Sequence, residues 1–228
     1  MSIGVRTPTS PSLNFFAGHV SPETVAIFYE RTTAMTNSTS IPAPERAAAE
    51  AAARLLTDHP DYRVLRRLPD PGLRTFAPID HMATRVGLVI DVETEGLDSA
   101  KDRIIELAAR RFRFDARGNI VQIGELRLWR EDPGRPLSPA IMNLTGLTDD
   151  DLVGQSIDDE AATALLQSAE VIFAHNAPFD APRVEHRLSG AAGLAWACSL
   201  HDIDWASLDF EGRSLTQLVQ RTGYFFDA

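Results

Sequence analysis

A single cysteine, Cys198, stands in 228 residues. An internal disulfide and a cysteine-ligated zinc site are therefore both excluded. No apolar run approaches the roughly eighteen residues that a membrane-spanning helix needs. The start also lacks a positively charged segment leading into an apolar one, so no secretory signal is read and a cytoplasmic location is expected. Basic charge is scarce: 22 Lys and Arg face 32 Asp and Glu, a formal net charge of −10. That excludes a basic coat for nucleic acid. It leaves open an enzyme whose acids hold metal ions. No internal repeat is present. Hydrophobic residues at 44% and charged residues at 24% exclude a wholly disordered, collagen-like or coiled-coil chain.

The charge is unevenly placed. Residues 1–84 carry 8 arginines and 8 acids, so the whole deficit falls in 85–228. Residues 1–43 are rich in Ser, Thr and Pro and read as disordered, with Met35 as an alternative start. Residues 44–84 read as a short helical extension and linker. The Ala47–Ala53 run favours helix and Pro60 ends it. Tyr62 to Leu68 is a second amphipathic piece, read as a solvated helix face, and Pro69 to Pro78 is a linker.

From Arg85 the pattern changes. Val86-Gly87-Leu88-Val89-Ile90 is a continuous apolar run, as a central buried strand requires. Ile104–Phe114 and Ile120–Trp129 are β-rich, with a turn over Asp115–Asn119. Further strands are read at Val171–Ala174 and Ala195–Leu200. Helices are read over Asp158–Ser168, Pro178–Leu188 and Ser214–Arg221, and Thr148–Asp151 reads as a helix start. Three strands followed by alternating helix and strand predict an α/β domain with a mixed sheet flanked by helices.

Two polar clusters interrupt these apolar runs. Asp91 and Glu93 close the central strand and, two residues apart, point the same way. Two carboxylates on one face of a buried strand repel each other, and a cation is the natural compensation. Oxygen-only donors favour Mg²⁺ or Mn²⁺. The second cluster, Phe173 to Asp180, is a buried strand running into a helix start. Neighbouring parallel strands bring their carboxyl ends to one edge, which could bring Asp180 to Asp91 and Glu93. Taken singly, Asp180 reads as a first-turn helix acid and His175 as a packed strand-end histidine.

Together these residues resemble a known family. Ile90-Asp91-Val92-Glu93-Thr94-Glu95-Gly96-Leu97 with Asp102 to Ala108 resembles the first motif of the DnaQ-like, DEDDh 3′–5′ exonucleases, which include the DNA polymerase III epsilon subunit. His175-Asn176-Ala177-Pro178-Phe179-Asp180 resembles the second. Asn143 to Thr148 is similar to the segment lining the substrate groove. The resemblance covers roughly 85–228. It implies a ribonuclease-H-like fold with a five-stranded mixed sheet, and phosphodiester hydrolysis at two divalent ions. Asp91, Glu93 and Asp180 would hold those ions. Thr94 and Gly96 would meet the terminal nucleotide through their backbone, with Leu97 wedged at its base. Thr145, Gly146, His175, Asn176 and Phe179 would complete the substrate contacts. The implied partners are single-stranded 3′ ends, DNA ahead of RNA, and a DNA polymerase in replication or repair.

Two departures from the family stand out. Glu95 replaces a threonine and adds negative charge beside the phosphate. The run Gly223 to Ala228 resembles the approach to the third motif, but the family's catalytic histidine and fourth metal aspartate have no counterpart after it. The exonuclease-like domain therefore reads as C-terminally incomplete. His201 is a weak substitute base, while Asp227 is out of register for the missing aspartate. The sequence thus supports a metal-dependent 3′–5′ exonuclease with impaired activity. The alternative is an inactive nuclease-fold module that binds single-stranded 3′ ends or a protein partner.

Overall fold

The computed structural model describes residues 42–68, 74–75, 83–99 and 101–226. The reading of 1–41 as disordered lies outside the described residues. Helix α1 (Ala43–Thr57) begins behind Pro42, and its alanine run is the reason it forms. Two short strands follow, β1 (Arg66–Arg67) and β2 (Arg74–Thr75). The main strands are β3 (Thr84–Thr94), β4 (Ile104–Asp115) and β5 (Ile120–Arg130). Helices α2 (Pro139–Thr145), α3 (Asp149–Leu152) and α4 (Asp159–Gln167) come next. Strand β6 (Val171–Ala174), α5 (Ala177–Arg187), β7 (Trp196–Cys198), α6 (Leu215–Arg221) and β8 (Tyr224–Phe225) complete the order.

The sheet order is β2-β5-β4-β3-β6-β7. The β3–β4 and β4–β5 pairs are antiparallel, while β3–β6 and β6–β7 are parallel. This is the expected ribonuclease-H-like mixed sheet of five strands. Two residues of the supposed linker are added at its edge, Arg74 opposite Ile123 and Thr75 opposite Gln122.

Strand β3 is central because it is apolar on both faces. Leu88, Ile90 and Val92 pack with Val184 of α5, with Leu188 just after it and with Leu166 of α4. Val89 packs on the other face with Phe112, Phe114 and Phe173. Gly87 faces Phe112, whose ring would lie 2.4 Å from any added Cβ. The aromatic ring therefore fills space that only glycine leaves. At α3, Asp151 Oδ2 accepts from the Thr148 N–H at 2.8 Å and from its hydroxyl at 2.6 Å, the helix-start role expected of that acid.

The segment Tyr62 to Leu68 is not helical. Arg66 and Arg67 pair in parallel with Tyr224 and Phe225, and the Leu68 N–H donates to Phe225 O at 2.7 Å. Arg63 also donates to the Gln220 carbonyl. A helix this short cannot hold itself together, whereas β8 offers backbone partners. Leu68 then joins Trp205, Leu218, Phe210 and Phe226 in a small separate core.

Candidate active site

Asp91 and Glu93 sit at the carboxyl end of β3, both partly buried. They share the sheet face of Val89, opposite Leu88 and Ile90. The pairing with β4 shifts register between Glu93 and Thr94, a bulge of the kind that re-aims side chains at sites. Across the strand Glu93 stands opposite Glu106, which is 7% exposed. Like charges so placed repel. Arg130 relieves this by donating to Glu106 Oε2 at 2.9 Å.

Asp180, in the first turn of α5, is 3% exposed. Its Oδ1 accepts the Val92 N–H at 3.3 Å, which fixes α5 against the end of β3. Burial, and secondarily the Asp91 charge, push its carboxyl up to about 8. Asp180 of the second motif thus feels the charge of Asp91 in the first. Among the described residues, however, no three acidic, histidine or cysteine side chains are gathered tightly enough to hold one ion together. The donor set suits a hard divalent cation in chemistry, since it is all carboxylate. A cation would also offset the Asp91 repulsion that, after burial, raises the Asp180 carboxyl.

Asn176 precedes α5 with φ of 95°, a left-handed conformation uncommon outside glycine and a sign of local constraint. His175 Nδ1 lies 2.9 Å from Ser199 Oγ. Burial, aided by the His201 charge, pushes its ring down to about 4 against an opposing hydrogen bond with the Arg213 backbone. The ring is therefore neutral at pH 7. His201 is exposed on the turn after β7. Neighbouring Asp202 is engaged locally, accepting the Cys198 N–H at 2.8 Å.

The loop after β3 is tightly built. Thr94 is buried, and its hydroxyl donates to Gly96 O at 2.6 Å. At Gly96 an added Cβ would lie 2.2 Å from Asp102 Oδ2, the oxygen that accepts the Asp98 N–H at 2.8 Å. Leu97 is 82% exposed, available to press on a base. Thr145 and Gly146 act as a helix terminus. The Thr145 hydroxyl donates to Ile141 O at 2.9 Å, and Gly146, left-handed at φ of 73°, caps α2 through Met142 O.

Two arrangements were not read from sequence. Glu95 does not leave loose charge beside the site. Arg135 Nε donates to its Oε2 at 2.6 Å and the Arg103 N–H to its Oε1 at 2.9 Å. Burial pushes this carboxyl up, but those partners outweigh burial and hold it below the usual glutamate range. The second is Arg183 of α5. It donates to Phe179 O at 2.7 Å and to Leu97 O at 2.6 Å, and its guanidinium lies 3.7 Å from the Phe179 ring centroid. The four-residue step from Phe179 to Arg183 along the helix was the available signal.

This domain belongs to an exonuclease class. The RNase_T family, described as Exonuclease, matches residues 88–223, and the chain belongs to that family, in keeping with its DnaQ-like motifs. A PolC-type DNA polymerase III of Listeria welshimeri is 37% identical over 111 residues, 45% of this chain and 7% of that protein. The PolC-type polymerase of Halalkalibacterium halodurans is 41% identical over 128 residues, 52% of this chain and 8% of the polymerase. The chain thus corresponds to less than a tenth of these relatives. Escherichia coli exonuclease I in complex with a 5cy-dT13 oligonucleotide is a looser likeness. It is 20% identical with a TM-score of 0.48, covering 63% of this chain and 37% of that one. Among the described residues, no helix is long and apolar enough to cross a membrane.

Proposed function

We propose that the chain is a divalent-metal-dependent exonuclease that removes nucleotides from the 3′ ends of single-stranded nucleic acid, DNA ahead of RNA. The observation that carries this reading is the buried Asp180 accepting the Val92 N–H, between Asp91 and Glu93, where the two family motifs meet. Asp91, Glu93 and Asp180 would hold Mg²⁺ or Mn²⁺. Ions held there supply a nucleophilic water at neutral pH and neutralise charge on the phosphate. The residues around them bind and orient the strand. Leu97 would press on the terminal base, the backbone at Thr94 and Gly96 would face its sugar and phosphate, and neutral His175 with Asn176 and Phe179 of the second motif would complete the contacts. Such contacts serve any sequence, so little base preference is expected.

With its ring pushed down to about 4, His175 would be a weak general base at neutral pH. A second reading stands beside the first, a nuclease-fold module that holds single-stranded 3′ ends or a protein partner without cutting. The kinship with PolC-type polymerases supports a DNA polymerase as partner. The test is release of nucleotides from a 3′-labelled single strand with Mn²⁺, by this chain and by one carrying the family's third motif. Release that rises with the motif and vanishes in Asp91→Ala supports the exonuclease. If the motif-bearing chain is inert and Asp91→Ala binds the strand unchanged, the exonuclease reading fails.

A further inference from the structure

A cavity of about 460 Å³ opens between the loop after Leu97 and the outer side of α5. Five of its lining residues are basic: Lys101, Arg103, Arg183, His186 and Arg187. Its two acids are already engaged. Glu131 accepts from Arg187 Nε at 2.9 Å, and Asp102 lies 3.5 Å from Arg135. Lys101 pairs with Asp98 at 3.0 Å, an exposed contact of little strength. Arg103 and Arg183 are different. Arg103 donates its guanidinium to Pro133 O at 3.1 Å, and Arg183 donates to the Phe179 and Leu97 carbonyls. Among the described residues neither has a carboxylate within ion-pair distance. Arg183 is 5% exposed and its buried Nε has no hydrogen-bond partner. A buried, unpaired donor is costly unless something accepts from it.

We infer that this cavity is a phosphate-binding site for a nucleotide. Two guanidiniums with no carboxylate in contact, though the charges of Asp180 and Asp132 reach them, stand with a lysine and a histidine and match a phosphate in charge. The volume leaves room for a sugar and base as well. The chain is acidic overall, so this concentration of cations runs against its average. Resting on the nuclease reading, the phosphate has two sources: a phosphate of the strand being held, or the nucleoside monophosphate that hydrolysis releases. Arg183 joins the cavity to the loop, because the same side chain holds the Leu97 carbonyl.

The probes are thymidine 5′-monophosphate, thymidine and a short single strand of thymidylates. Each is titrated into metal-free protein while NMR follows the Lys101 and Arg103 amides and the His186 ring. Saturable shifts there with the monophosphate and the strand, but not with thymidine, are expected. A response to the strand alone assigns the site to a strand phosphate, and a response to both admits the released nucleotide. The double variant Lys101→Ala, Arg103→Ala should remove these shifts. It should also lower the slope of log affinity against log salt for the strand by about 0.7 per lost phosphate contact. Asp91→Ala serves as the control. It should leave the cavity shifts intact whether or not the carboxylates work as a nuclease. Shifts absent with every phosphate, unchanged in the double variant, or lost in Asp91→Ala would overturn the assignment.

Discussion

The Val92 N–H donates to Asp180 Oδ1 at 3.3 Å across 88 residues of sequence, tying the central strand to the first turn of α5. That bond favours an ionised Asp180, yet burial and the Asp91 charge win and push the carboxyl up to about 8. The consequence for stability can be worked out in sign. A raised carboxyl stays protonated in the fold where the unfolded chain has already ionised. Its contribution therefore falls as pH rises from the ordinary aspartate range to about 8.

His175 acts oppositely, because burial pushes its ring down to about 4. Below its ordinary value the unfolded chain takes up a proton that the fold refuses, so stability falls on acidification toward 4. Between about 4 and 6.5 the two contributions oppose each other, and above that window Asp180 acts alone. Metal-free protein is thus expected to lose stability from pH 6.5 to 8, by up to about 1.4 kcal/mol per pH unit from this group. Asp180→Asn should abolish that decline and expose the acid-side loss due to His175. Urea midpoints measured across pH check this, and parallel profiles for the two proteins would refute it.

The same coupling predicts a metal response. A cation at Asp91 and Asp180 displaces the Asp180 proton and removes the repulsion. Mn²⁺ or Mg²⁺ should therefore raise the melting temperature, equivalent to about 2.7 kcal/mol at a hundredfold excess over Kd. Asp91→Ala and Asp180→Asn should each remove most of the rise. A variant that keeps the full response would show that the ions bind elsewhere.

What the sequence made legible follows from range. The run Val86 to Ile90 announced a buried strand because burial on both faces needs uninterrupted apolar residues. That β3 and β6 lie side by side and parallel, with their carboxyl ends at one edge, was legible from the alternation of strand and helix. Arg66–Arg67 was misread because its structure comes from Tyr224–Phe225, far along the chain, and local periodicity carries no trace of that partner. Glu95 was misread for the same reason, since its charge is offset by Arg135, 40 residues away.

Arg183 should prove a positioning residue for the Leu97 loop. Its two hydrogen bonds to the Phe179 and Leu97 carbonyls are charge-assisted, and the side chain is buried. Arg183→Met keeps an apolar stem and leaves both carbonyls without that donor. A loss of about 2 kcal/mol or more is expected in denaturant unfolding. Faster amide exchange at residues 97–98 should accompany it, and unchanged exchange there would show that the loop is held by other means.

Glu95→Gln tests whether the departure from the family's threonine is structural. The side chain of Glu95 is 5% exposed while that of Arg135 is 58% exposed, so solvent weakens the pair and a loss of about 1 kcal/mol at pH 7 is expected. The folded carboxyl lies below its ordinary value, so its contribution is present above the ordinary glutamate range. It is lost as pH falls through the folded value. The stability gap between wild type and Glu95→Gln should therefore be full at pH 7 and close on acidification below about 4. Arg135→Met should behave alike and add little to Glu95→Gln, since both remove one pair. A gap that persists at low pH, or two losses that simply add, would place the role of Glu95 outside that pair and return its charge to the site.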